Sequence, residues 1–241
     1  QGGFAAVLLV PDFERQHARR TVPRNPLRHA LRHHRRGIAR GFAISALGSI
    51  TYYVGITYVP VFLTTAGALT EGLSLWLATV AAVVVILVTP IVGALSDRLG
   101  RRPVLVFLAV CSALLPVTMF SLMAGGSGAH ALLGAVLLAG VAGGVSAVGA
   151  VATAEQFPGE GRLSGLALGA TAATAVFGGL TPLAAQWLIG LTGWAPAPGA
   201  MIAVVALCVL PVLLTLPETA PSRGAATRAP AKDPAVSSTP T

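Results

Sequence analysis

Between Gly93 and Pro103 the sequence reads Gly-Ala-Leu-Ser-Asp-Arg-Leu-Gly-Arg-Arg-Pro, one carboxylate among three guanidinium groups with apolar runs on both sides. Side chains of these types make ion pairs and charge-assisted hydrogen bonds; they do not make a nucleophile and its base. Asp97 has two uses open to it, capping a helix N-terminus or pairing with an arginine. Gly93 is read as allowing close helix approach. Gly100 is read as supplying a backbone angle that other residues resist, and Pro103 as part of the first turn of a following helix. A simpler reading is a basic turn between two helices. That reading leaves the order Gly-x-x-x-Asp-Arg-x-Gly-Arg-Arg unexplained.

A second group is polar without charge: Tyr52, Tyr53, Thr57 and Tyr58, with Thr171 and Thr174 further along. A phenol inside an apolar run needs a polar partner, which a water-filled cavity supplies and lipid does not. Tyrosines also form ordinary belts at membrane interfaces, so both readings stand for Tyr52 and Tyr53, and Tyr58 lies nearer an interface. His29, His33 and His34 sit among arginines with no carboxylate near, which repels a metal cation. Cys111 and Cys208 are lone thiols within apolar runs and read as small hydrophobes. No nucleophile–base pair, phosphate-cradling loop or carboxylate dyad is present, so neither an enzyme, nor a cofactor, nor a metal site is expected.

These residues must be positioned by membrane helices. Only 10% of the 241 residues are charged and 54% are hydrophobic, whereas a soluble domain carries about 25% charged residues. A span needs about 20 mostly apolar residues. Such runs predict helices near Ile38–Thr64, Gly72–Ser96, Val104–Ala124, Ala131–Thr153, Leu163–Leu191 and Ala200–Leu216. Pro90 falls inside the second run, which one helix still fits. Turn residues at 125–130 and 192–199 divide the longer runs. Gly140 with Gly144, and Gly165 with Gly169, have the spacing of close helix packing, and Gly178, Gly179 and Pro182 are placed to bend the fifth helix.

Charge tests the count. With six helices, the N-terminal segment, the second and fourth loops and the tail share one side, and they hold all sixteen basic residues. The three opposite loops hold none. This asymmetry places both termini in the cytoplasm, in a multi-pass protein of the cell membrane. It also removes the nucleic-acid reading of a +8 chain, because the basic residues punctuate spans and do not form one face. Residues 1–37 read as a cytoplasmic loop and a basic juxtamembrane segment on anionic lipid, 38–217 as the helical bundle, and 218–241 as a disordered tail.

At this point the sequence resembles the major facilitator superfamily. Its signature cytoplasmic loop is matched by Gly93, Asp97, Arg98, Gly100, Arg101 and Arg102, and here as there it follows the second helix of a six-helix unit. Glu155-Gln156-Phe157-Pro158 with Arg162 and Gly165 resembles an element of the metabolite:proton symporter branch. Leu216-Pro217-Glu218-Thr219 is similar to the close of that branch's last helix, and Thr51–Pro60 to its seventh. The resemblance implies an all-α fold of two six-helix halves, of which this chain is the C-terminal one, helices seven to twelve.

It also implies roles. Asp97, Glu155, Arg162 and the loop arginines would form a cytoplasmic charge network, made in one conformation and broken in the other. Tyr52, Tyr53, Thr57, Tyr58, Thr171 and Thr174 would be candidates for the substrate cavity. The implied function is proton-coupled uptake of a small metabolite, an organic acid, proline or betaine, by alternating access. A drug or sugar transporter of different direction is the alternative, as is a non-transporting truncated half-protein. From Ile38 to Leu216 no ionisable residue lies at central depth; Glu71 and Glu155 fall at helix ends. Proton coupling generally needs such a group, so it is expected in a missing N-terminal half. With Gln1 in place of an initiating Met, the chain is expected to be a fragment or half.

Overall fold

The computed structural model describes residues 35–156 and 166–218, and every regular element among them is helical. Six membrane-length elements follow one another. The first, α1, runs as Arg35–Tyr52, passes through a wide π-helical turn at Tyr53–Thr57, breaks at Tyr58 and resumes as Val59–Thr65. The two parts are bent by 43°. Pro60, near the start of the resumed segment, lacks the N–H that would have bonded back across the break. After it come α2 (Glu71–Leu99), α3 (Arg101–Met123), α4 (Gly128–Glu155), α5 (Ala167–Thr192) and α6 (Ala197–Leu214).

The predicted spans are all present, with ends displaced by a few residues. Thr70 caps α2, its hydroxyl accepting from the Leu73 N–H, and Glu71 in the first turn suits the helix dipole. The single helix expected through Pro90 is present. α2 continues through it for 29 residues, because the apolar run on both sides keeps every other backbone group in the helix ladder. Two more π-helical turns, Ala167–Thr171 and Ala175–Gly179, widen α5, the second of them at the glycines where a bend was expected.

α4 is the centre of the bundle, packed on α1, α2 and α3, while α1 also meets α5 and α6, and α3 meets α6. One half of the core gathers Val54, Phe62, Leu63, Phe120, Met123 and Ile202. There the Phe62 and Phe120 rings meet edge to face, with centroids 4.8 Å apart. The other half gathers Ile44, Leu47, Leu105, Val145, Val148 and Leu213. The α3–α6 contact is close enough that a Cβ on Gly199 would lie 2.6 Å from the backbone of Pro116.

The outside of the bundle is as apolar as its core. Ile86, Leu114, Leu183 and Trp187 are all about two-thirds exposed. Water would not tolerate such a surface, and a bilayer does. Trp76, Trp187 and Trp194 are exposed towards the ends of the helices remote from the arginines, where an aromatic belt would sit. The chain is a multi-pass membrane protein. The expected juxtamembrane segment before Arg35, the loop carrying Arg162 and the expected tail beyond Glu218 lie outside the described residues, while residues 35–37 open α1.

Candidate functional site

Two polar constructions interrupt the apolar bundle. The first lies where α2, α3, α4 and α6 end together. Asp97 and Arg98 occupy the last turn of α2, and Gly100 alone separates α2 from α3. Its φ of +114° turns the chain sharply enough for Arg101 to open α3 directly beneath Asp97. Arg101 is buried. Its guanidinium lies 2.6 Å from the Asp97 carboxylate and donates to Ser96 Oγ at 2.5 Å. Its Nε stands 3.6 Å from Glu155 at the end of α4, an ionic contact too long for a hydrogen bond. One planar cation thus ties three helix ends together, a task suited to a rigid fork of donors.

A fourth element closes the group from the other side. Glu218, just past α6, accepts from the Arg101 N–H at 2.7 Å and the Arg102 N–H at 3.3 Å. It caps the N-terminus of α3 with a full negative charge. Arg40 of α1 reaches the Thr215 carbonyl at the end of α6 at 2.9 Å, a cation on a helix C-terminus. Glu218 was visible in the sequence only as part of a terminal pattern. Its signal was a lone carboxylate following an apolar helix on the side where α3 begins.

Of the loop residues, Asp97, Arg101 and Glu155 are brought together as expected, and Asp97 takes the pairing use in place of the N-cap. Gly100 and Pro103 play the expected parts. Gly93 does not: a Cβ placed on it meets nothing within 4 Å among the described residues. Its carbonyl instead accepts from Ser96 Oγ at 2.8 Å, holding the hydroxyl that Arg101 uses. Gly140 likewise faces open space, and Gly143 and Gly144 make the close contacts of α4. Arg98 and Arg102 are exposed, and Arg162 lies outside the described residues.

The second construction is a polar seam between α1 and α5. Ser49 and Thr174 share a hydrogen bond of 3.0 Å. Next, the Tyr53 ring lies flat against Gly178, where an added Cβ would come within 2.8 Å of it. Tyr52 leans edge-on to Tyr53 with centroids 5.8 Å apart. Beyond them the Tyr58 hydroxyl donates to Gln186 Oε1 at 2.6 Å. A cavity of about 300 Å3 opens at the arginine-side end of the seam, lined by Ser45, Ser49, Ser146, Thr153 and Thr174 among small residues of α1, α4 and α5. Thr153 Oγ1 is buried without a hydrogen-bond partner, an unusual state for a native hydroxyl. Thr57 and Thr171 are exposed and do not line this cavity. Gln186, Ser49 and Thr153 were not singled out in the sequence.

Gly178 makes this seam testable. Gly178→Val is expected to destabilise the bundle by about 1–3 kcal/mol through overpacking against Tyr53. Thermal unfolding in detergent measures it, and Tyr53→Ala should recover most of the loss. Equal loss with and without Tyr53 would mean that the ring is not what Gly178 accommodates.

The chain has six helices, a clasp of charges at one end and an uncharged polar seam within, and the sequence itself matches one family. The sequence profile of the Major Facilitator Superfamily covers residues 41–239. The chain belongs to that superfamily. It is 34% identical over 169 residues to the ectoine/proline transporter ProP of Corynebacterium glutamicum, covering 68% of this chain and 32% of that protein. With the citrate-proton symporter of Klebsiella pneumoniae identity is 30%, over 72% of this chain and 39% of the other. With the alpha-ketoglutarate permease of Escherichia coli it is 29%, over 60% and 34%. No solved structure matches the chain. The matches thus span roughly a third to two-fifths of these relatives. They come from the metabolite-symporter branch that the Glu155–Arg162 element resembled.

Proposed function

We propose that the chain is the C-terminal six-helix half of a proton-coupled symporter for a small carboxylated metabolite. Its Arg-rich ends lie in the cytoplasm, and it works against an N-terminal half by alternating access. The observation that carries this reading is the seam. A membrane bundle with an apolar exterior gathers hydroxyls and phenols along one α1–α5 face, next to a cavity. Lipid gives such groups no partner, whereas a solute with hydrogen-bonding oxygens does. The relatives named above are called transporters of ectoine, proline, citrate and 2-oxoglutarate, all of which carry a carboxylate.

The charge clasp supplies the switch. Asp97, Arg101, Glu155 and Glu218 hold four helix ends in one arrangement, and parting them releases those ends together. The proton-binding group belongs to the N-terminal half, because no Asp, Glu, Lys, Arg or His lies in the middle of the described helices. By itself the chain is therefore not expected to accumulate solute.

The full-length protein in proteoliposomes tests this. With the outside acid, labelled proline, betaine, citrate or 2-oxoglutarate should accumulate, and a protonophore should abolish accumulation. Uptake unaffected by the protonophore would remove proton coupling from the account. Transport of sugars or cationic drugs with none of these acids would remove the substrate class.

A further inference from the structure

Between residues 38 and 217 the chain has two carboxamides, Gln156 at the end of α4 and Gln186 within α5. Gln186 is exposed and lies in the last two turns of the α5 span, beside Trp187. On an α-helix, residues two apart project to nearly opposite sides. Its neighbours at that spacing, Ala184 and Leu188, line an apolar groove against α6 together with Leu180, Met201 and Val204. Gln186 therefore points away from the groove that suits an acyl chain. It lies on the side of α5 that meets Tyr58 of α1.

The bond from Tyr58 settles what Gln186 offers. Oε1 accepts the phenol proton at 2.6 Å, and Tyr58 itself is buried, 2% exposed, at the break in α1. The carbonyl end of the amide is thus held by a rigid, packed side chain. What remains is the NH2 group, two donors with no acceptor bonded to them among the described residues. Near the interface such donors take an acceptor from water, a headgroup or a solute, and the side of α5 that faces away from the acyl-chain groove favours the solute. A solute oxygen is the acceptor that this position lacks.

We propose that Gln186 is a specificity-determining residue that donates hydrogen bonds to the carboxylate of the transported solute, and that Tyr58 is its positioning residue. This rests on the transport reading above and deepens it. A carboxylate fits because its oxygens only accept, so an amide N–H donates to it with no competing donor on the solute. Tyr58 acts only through the amide, fixing which end faces the solute.

The test uses the full-length protein and a carboxylated solute that it takes up, comparing wild type with Gln186→Met and Tyr58→Phe. Gln186→Met keeps the side-chain length and should raise KM about tenfold, the worth of one charge-assisted hydrogen bond, with Vmax nearly unchanged. Tyr58→Phe should raise KM by a smaller factor. Competition by the solute and by its methyl ester gives a second readout. Wild type should prefer the acid, and Gln186→Met should lose most of that preference.

Three results would overturn the assignment. One is equal loss of thermal stability in both variants with unchanged KM and acid preference, which marks a structural pair. Another is a fall in Vmax alone, which marks a contact with another helix. Ligand-induced thermal stabilisation in detergent is read in parallel. If wild type takes up no acid, the transport reading fails, and the assignment stands only if the acid stabilises wild type and not Gln186→Met. The third is that no acid stabilises wild type.

Discussion

Arg101→Ala is expected to weaken the bundle by about 2 kcal/mol and to cut solute uptake by the full-length protein at least tenfold. The guanidinium is buried and serves Ser96, Asp97 and Glu155 together. Its removal leaves two carboxylates near each other without their cation. The stability figure is held below that of a fully buried pair because the Asp97 side chain is 53% exposed and water takes over part of its solvation. Uptake should suffer more than folding. A bias of about 2 kcal/mol in a two-state equilibrium changes the population ratio about thirtyfold. Arg101→Lys should fall between, since one ammonium does not span three partners. Thermal unfolding and initial uptake rates measure the two effects separately. Additive losses for Arg101→Ala and Asp97→Asn would show that the pair is not coupled.

Gly100→Ala is the second large effect. Its backbone, φ +114° and ψ 148°, lies in a region that only glycine adopts readily. The new Cβ would also fall 2.5 Å from Glu218 Oε2 and 2.9 Å from its Cδ. Strain and loss of the helix cap together should cost about 3 kcal/mol. Glu218→Ala alone should cost about 1 kcal/mol, because it removes a half-buried cap but no backbone strain. Combining the two separates the causes: relief of the clash should make the double variant scarcely worse than Gly100→Ala. A fully additive double variant would mean that the carboxylate does not sit against Gly100.

The helices were legible because lipid demands uncharged runs of a fixed length, and a count of six puts all sixteen basic residues in the four segments of one side and none in the three loops of the other. Gly100 was legible for a local reason, since a two-helix turn of one residue needs its φ. Pro90 did not hide α2, because an uncharged run of span length outweighs one proline where an apolar environment keeps the rest of the ladder intact. Gly93 misled for a different reason: close approach depends on where a neighbouring helix lies, which spacing alone does not state. Glu218 reaches Arg101 across 117 positions and Tyr58 reaches Gln186 across 128. No local pattern encodes either contact. Tyr58 was ranked below Tyr52 and Tyr53 by its nearness to the interface, yet it is the phenol with a hydrogen-bonded partner across the α1–α5 seam.

The central claim is that the clasp of Asp97, Arg101, Glu155 and Glu218 sets which side the cavity opens to. Ala150 lines that cavity and is exposed. With Cys111 and Cys208 replaced by serine, Ala150→Cys in the full-length protein can be labelled by a membrane-impermeant thiol reagent from either face of sealed vesicles. Adding Arg101→Ala should speed labelling from the arginine-rich face and slow it from the other, because the freed helix ends part on that face. Labelling rates unchanged on both faces, with uptake lost, would contradict the claim and leave the clasp as a static anchor.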